Sequence, residues 1–161
     1  MSEIIPMARG LGKIVTVDPK KDHFNFYRGV TAITPNRLEA EEATGIQISD
    51  KKGLHEAGGR LMERLECDAV LITMGDQGMC LFEGSEPPLE IPARAQEVYD
   101  VSGAGDTVIA VFTSALVVGA SFRQAAMLSN VAGGLVVEKL GTAVVTREEL
   151  RARIEQVAPL G

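Results

Sequence analysis

The run AVLITM, residues 69–74, carries no charge and is bounded by Asp68 on one side and a glycine on the other. Six residues is strand length, and valine, isoleucine and threonine favour an extended chain. A strand with no polar face has to be covered on both sides, as strands of parallel sheets are by their crossover helices. The neighbouring sequence provides those helices. Asn36 to Thr44 reads as a helix stopped by Gly45. Ser49 or Asp50 caps a second helix running to about Glu66, with Leu54, Ala57, Leu61, Met62 and Leu65 on one face. Beyond the strand, Ala104 to about Val118 is a helix without charge after Asp106, which predicts extensive burial. Ser121 caps a further helix, Phe122 to Lys139. Thr146, with Glu149 in capping-box position, starts a last one, Arg147 to Gln156.

The other strands are shorter. Lys13 to Asp18 (KIVTVD) and Thr31 to Thr34 (TAIT) precede the central run. Gly75 to Gly78 turns the chain into Met79 to Phe82, and the stretch 83–92 is loop with an edge strand. Strands alternating with helices give an α/β fold with a mainly parallel sheet. In such sheets ligands bind at the carboxyl ends of strands. That directs attention to the loops at 18–20, 34–39, 73–78 and 100–106.

Composition narrows the function classes. The 161 residues hold 22 acidic and 16 basic side chains, a net charge of −6, which argues against nucleic acid as the partner. A small anion is still compatible, because backbone dipoles hold phosphate in acidic proteins. The longest apolar stretch, Val108 to Ala120, is too short for a membrane span. Two cysteines, Cys67 and Cys80, lie in or beside apolar runs and read as buried free thiols, in keeping with a cytoplasmic protein. His23 and His55 have no partner at metal-ligand spacing. Lys20 and Lys139 read either as solvated lysines or as groups reaching phosphate.

The strongest chemical signal is DVSGAGD, residues 100–106, immediately before the uncharged helix. Gly103 and Gly105 permit a tight turn and a close ligand approach. The amides of Gly103, Ala104, Gly105 and Asp106 would converge at a helix N-terminus, an anion site by geometry and dipole. An aspartate there opposes simple phosphate holding and suits a site that also takes a proton from an attacking hydroxyl. A glycine-rich turn with a capping aspartate is the plainer alternative.

This segment resembles the second signature of the ribokinase-like, or PfkB, carbohydrate kinases. Three further stretches match in order. Asn36 and Glu39 in TPNRLE (34–39) resemble that family's Asn-x-x-Glu motif; Thr73, Gly75 and Gly78 in TMGDQG (73–78) resemble its nucleotide loop; and LSNVA (128–132), with Asn130, resembles the helix flanking the adenine. VDPK (17–20), TPNRLEAEEATG (34–45), QEVYDVSGAGDTV (96–108) and VVEKLGT (136–142) are most similar to the heptose 7-phosphate kinases of lipopolysaccharide heptose synthesis.

The resemblance implies a ribokinase-like three-layer fold and ATP-dependent phosphorylation of a sugar or sugar phosphate. Asp106 would be the general base, and the amides of Gly103, Ala104 and Gly105 would hold the transferring phosphoryl group. Glu39 would act on Mg2+ through water. Asn36, Thr73, Gly75, Gly78, Asn130 and Gly133 would contact the nucleotide. Asp100 and the Ser102 carbonyl, with Gly141 nearby, would take a monovalent cation such as K+. For Asn36 and Glu39 the alternative is an ordinary helix cap. For Gly133 and Gly134 it is close packing of a neighbouring helix.

The chain, residues 1–161, corresponds to the carboxyl-terminal half of such a kinase, without the amino-terminal half and its β lid. No His-x-Gly-His nucleotidyltransferase motif and no Walker loop occur in it. The expectations are weak ATP binding, little activity in isolation, and homo-oligomerisation through the surface that the other half would cover.

Overall fold

The computed structural model describes residues 3–94 and 98–157. The elements in chain order are α1 (Ile4–Gly10), β1 (Thr16–Val17), a 3-10 turn (Lys21–Phe26), β2 (Ala32–Ile33), α2 (Arg37–Thr44), α3 (Lys51–Leu65), β3 (Ala69–Thr73), a second 3-10 turn (Gly75–Gln77), β4 (Met79–Glu83), β5 (Leu89–Ile91), α4 (Ala104–Val117), α5 (Phe122–Val137) and α6 (Arg147–Val157). The five strands form one sheet in the order β1-β2-β3-β4-β5. The pairs β1–β2 and β2–β3 are parallel, whereas β3–β4 and β4–β5 are antiparallel. Four strands therefore share one direction and β4 alone runs against them.

Both faces of the sheet are covered, as the charge-free β3 requires. Val70 and Ile72 of β3, with Cys80 and Phe82 of β4, pack against Leu54, Ala57, Leu61 and Leu65 of α3. Ala69, Leu71, Met79 and Leu81 face the opposite way, onto Val108, Phe112, Ala125 and Ala126 of α4 and α5. The period-two alternation of β3 and β4 thus separates two helical layers. One glycine sets the spacing of the first layer. A Cβ on Gly58 in α3 would lie 2.2 Å from the Phe82 ring, so only glycine lets the helix come this close.

Several caps match expectation. Asp50 rather than Ser49 caps α3, accepting the Gly53 N–H at 2.8 Å. Thr146 and Glu149 form the capping box of α6. The first two strands are shorter than the apolar runs suggest, two residues each.

Helix α4 is less buried than its composition predicts. Val108, Phe112, Ala115 and Leu116 are inside, but Ala110, Ser114, Val117 and Val118 form an exposed stripe, and Val118 is 84% accessible. The cause is position. The Thr16 and Thr113 hydroxyls hydrogen-bond at 2.6 Å, which sets α4 over β1, the edge strand, and no described element lies beyond it.

Candidate functional site

The predicted anion turn forms at the start of α4. Gly103 is the N-terminal flanking residue with φ +78°, the left-handed region in which glycine carries no steric penalty. Thr107 N–H donates to the Gly103 carbonyl at 3.0 Å and Ala104 N–H to Val101 at 3.3 Å. No described residue accepts from the N–H groups of Gly105 or Asp106. A Cβ built on Gly105 would meet nothing within 4 Å, so the approach to these amides is open. Unpaired amides at a helix start are the donors an anion uses. Asp106 sits in this first turn with its side chain in solvent.

Asp100 holds the loop in place. One carboxylate oxygen accepts Ser102 N–H at 2.8 Å and the other accepts Gly141 N–H at 3.2 Å. These bonds, led by that from Ser102, hold its carboxyl below the ordinary range. Asp100 is thus a staple between two loops, and no group of three His, Cys, Asp or Glu side chains gathers into a metal cage among the described residues.

A cavity of about 240 Å3 adjoins the turn. Thr73, Gly75 and Gly78 line one side, Asn130, Gly133 and Gly134 another, and Ala104 and Gly105 connect it to the start of α4. Met79, Val108 and Val137 make its interior apolar, and Arg94 adds a cation at the margin. A planar base and a phosphate chain need this combination of an apolar slot opening onto free amides.

The glycines here serve different purposes. Gly78 has φ +91°, and a Cβ would lie 2.1 Å from the Ile91 carbonyl oxygen, so the loop packs against the segment after β5. For Gly133 the two sequence alternatives merge. Its missing Cβ makes room for Val108 of α4, which would be 3.1 Å away, and the residue also lines the cavity. Asn130 is buried, and its Nδ2 donates to the Pro92 carbonyl at 2.7 Å. It latches the 92–94 segment onto α5 while facing the cavity.

Asn36 and Glu39 form a complete capping box at the start of α2. Asn36 Oδ1 accepts Glu39 N–H at 2.9 Å, and Glu39 Oε2 accepts Asn36 N–H at 2.8 Å. The cap reading is therefore realised in the geometry. It also fixes Glu39, whose carboxyl is raised above its ordinary value mainly by desolvation, with Asp18 adding repulsion.

Two residues that the motifs did not single out join this end of the sheet. The register Thr16↔Ala32 and Val17↔Ile33, continued one step, sets Asp18 beside Thr34. Thr34 is only 4% exposed, and its hydroxyl has no hydrogen-bond partner. The rule that ligands bind at strand carboxyl ends pointed to both, and both fall inside the matched stretches VDPK and TPNRLE without having been assigned a role there. A desolvated carboxylate, a second carboxylate nearby and an orphaned hydroxyl suit a Mg2+ ion held through water, since that ion keeps several waters and takes one or two carboxylates.

Lys139, His23, His55 and the two cysteines sit in structural surroundings. Lys139 donates to the Val144 carbonyl at 2.7 Å and to Glu149 at 2.8 Å, clasping α6. His55 lies edge-on to Phe82, and His23 to Phe26. Cys67 and Cys80 are buried free thiols, pushed by desolvation up to about 11 and about 12. No helix among the described residues is long and apolar enough to cross a membrane.

The profile of the pfkB family carbohydrate kinases matches residues 5–149. The curated protein named bifunctional protein HldE from Caulobacter vibrioides is 51% identical over 149 residues, covering 92% of this chain and 31% of its own length. The protein of that name from Desulfatibacillum aliphaticivorans is 44% identical over 155 residues, covering 96% and 32%. Among solved structures, Arabidopsis thaliana ribokinase complexed with ribose and ATP superposes with a TM-score of 0.83 at 23% identity, over 95% of this chain and 51% of that one. Escherichia coli phosphofructokinase-2 with substrates and products gives 0.82 at 17% identity, over 96% and 51%. The chain thus spans about a third of these curated relatives and half of these solved ones, and its fold is ribokinase-like. It belongs to the pfkB family of carbohydrate kinases.

Proposed function

We propose, from that family membership, that the chain is the nucleotide-holding and base-bearing part of an ATP-dependent sugar kinase. The observation that carries this reading is the continuity of the site. The apolar cavity is lined by Gly105, whose amide is unpaired, and Asp106, which carries the next unpaired amide, projects from the same helical turn.

In this reading the cavity takes the adenine, and the amides of Gly103 and Gly105, with that of Asp106, hold the transferring phosphoryl oxygens, while the Ala104 amide, expected to join them, is bound to the Val101 carbonyl. Asp106 accepts the proton of the sugar hydroxyl as its oxygen bonds to phosphorus and the bond to the leaving ADP breaks. A carboxylate is a weak base, but a loose transition state needs only late proton removal. Each amide aimed at developing charge is worth about 3 kcal/mol. Glu39, with Asp18 and Thr34 close by, would hold the water shell of Mg2+, which when bound neutralises phosphate charge. A K+ ion beside Asp100 and the Ser102 carbonyl would use the lone pairs of Asp100 left after each of its oxygens has accepted one N–H group.

The acceptor in this proposal is D-glycero-D-manno-heptose 7-phosphate, converted to the 1,7-bisphosphate. Support comes from the stretches 17–20, 34–45, 96–108 and 136–142 and from 44–51% identity to the proteins named HldE. Ribose and fructose phosphate kinases are the alternatives, since ribokinase and phosphofructokinase-2 share the fold. The test is ATP-dependent turnover of the three sugars by this chain, alone and with the complementary half of a relative supplied in trans. Turnover restored only in trans, and fastest with heptose 7-phosphate, supports the reading. Failure of every sugar with ATP still bound favours a nucleotide-binding or self-associating module.

One observation favours that second reading for the chain by itself. Ile4, Met7 and Leu11 on and after α1 and Val117 and Val118 at the end of α4 are exposed apolar side chains, and among the described residues no strand pairs with the outer edge of β1. Such surfaces associate in water. Light scattering should show a species larger than a monomer, and a monodisperse monomer at high concentration would contradict this.

A further inference from the structure

The site as described gathers negative charge where a triphosphate must dock. Asp18 follows β1, Glu39 lies in the first turn of α2, and Asp106 lies in the first turn of α4. Lys20 is the ammonium set among them. It pairs with Asp18 at 2.9 Å, and Glu39 and Asp106 lie within its electrostatic reach. Pro19, fully buried, anchors the backbone immediately before it, and Lys20 itself is extended, at φ −111° and ψ 141°, before the chain enters the 3-10 turn. The base of the side chain is therefore held while its end, 70% exposed, is free to swing.

The other basic groups with a defined partner are bound elsewhere. Lys139 is clasped by Glu149, Arg9 by Asp68 and Arg37 by Glu41. An exposed ion pair two residues apart contributes little, so Asp18 holds Lys20 only loosely. A terminal phosphate, with more charge and three acceptor oxygens, competes well for the same ammonium.

We propose that Lys20 is a catalytic residue: it leaves Asp18 and donates to the oxygens of the phosphoryl group being transferred. This rests on the kinase reading above. Lys20 remains protonated throughout. The hydroxyl proton goes to Asp106, the bond from the sugar oxygen to phosphorus forms, and the electron pair of the broken bond leaves on ADP. Lys20 balances the charge spread over the equatorial phosphoryl oxygens, and its departure frees the Asp18 carboxylate.

The test is calorimetric titration of this chain, and of its Lys20→Met, Lys20→Gln and Lys20→Arg variants, with ATP, ADP and AMP in magnesium buffer. Both neutral variants should lose about tenfold in affinity for ATP, while affinities for ADP and AMP stay within about twofold and Lys20→Arg keeps most ATP binding. Circular dichroism should show the same melt for all four proteins, since the side chain is exposed. Equal losses for the three nucleotides, or no loss for ATP, would overturn the role of Lys20 and leave the kinase reading in place. A chain that binds none of the three nucleotides would remove both.

Discussion

The two glycine loops at the carboxyl end of the sheet look alike in sequence and differ in what their glycines do. In TMGDQG the backbone at Gly78 is pressed against the segment after β5, where an added Cβ would lie 2.1 Å from the Ile91 oxygen. In SGAGD, Gly105 faces empty space, and its N–H and that of Asp106 have no acceptor among the described residues. The first loop's key glycine is required by packing, so it serves a ligand indirectly, by shaping a wall. The second is required by nothing in the folded chain, which leaves an incoming group as its physical explanation. A close approach within the protein and room for a partner produce the same residue type in the sequence.

This contrast can be broken by substitution. The largest effect belongs to the open loop. With a complementary half present, Asp106→Asn should lower sugar phosphorylation by at least about 100-fold while leaving the melting temperature unchanged. Loss of stability instead would make Asp106 a helix cap. Next comes the packed loop: Gly78→Ala forces both a left-handed φ and a backbone collision, and should cost about 3 kcal/mol in urea unfolding. Gly105→Ala should do the reverse, stabilising α4 by up to about 1 kcal/mol, because alanine is the better helix former. The same methyl should weaken ATP binding in titration by blocking the amides. Asn130→Ala removes the bond to Pro92 and should cost about 1 kcal/mol in stability, with a looser cavity wall.

The smallest effect concerns acid. Lys139, followed by Thr146 N–H, holds the Glu149 carboxyl down to about 2. Its folded value is therefore below its unfolded one, so its contribution is present above roughly pH 4.3 and disappears as pH falls toward 2. Melts between pH 5 and 2 should show Lys139→Met losing less stability on acidification than the parent chain.

Much of the framework was legible in the residues. The uncharged β3 implied two covering layers, and the alternation along β3 and β4 supplied them. The boxes at Asn36 and Glu39 and at Thr146 and Glu149 follow from spacing alone. The glycine turn before α4 was equally local, since its φ and its free amides depend on a few consecutive residues. The shorter β1 and β2 and the uncovered stripe of α4 were not legible, because neighbours decide how far a strand pairs and which helix face is covered. Thr34 illustrates the limit within the site. Nothing in TPN marks its hydroxyl as buried and unpaired beside Asp18; the parallel register of β1 and β2 does.

The sequence by itself determined the alternation of strands and helices after residue 13, the covered strands, the caps and the position of the glycine turn before α4. Each depends on periodicity or on a dipole only a few residues long. The tertiary structure alone decided that Gly58 accommodates Phe82, that Asn130 latches Pro92, and that Gly78 is packed while Gly105 is open. Those facts depend on atoms tens of residues apart meeting within a few ångströms, and no local pattern encodes such a meeting.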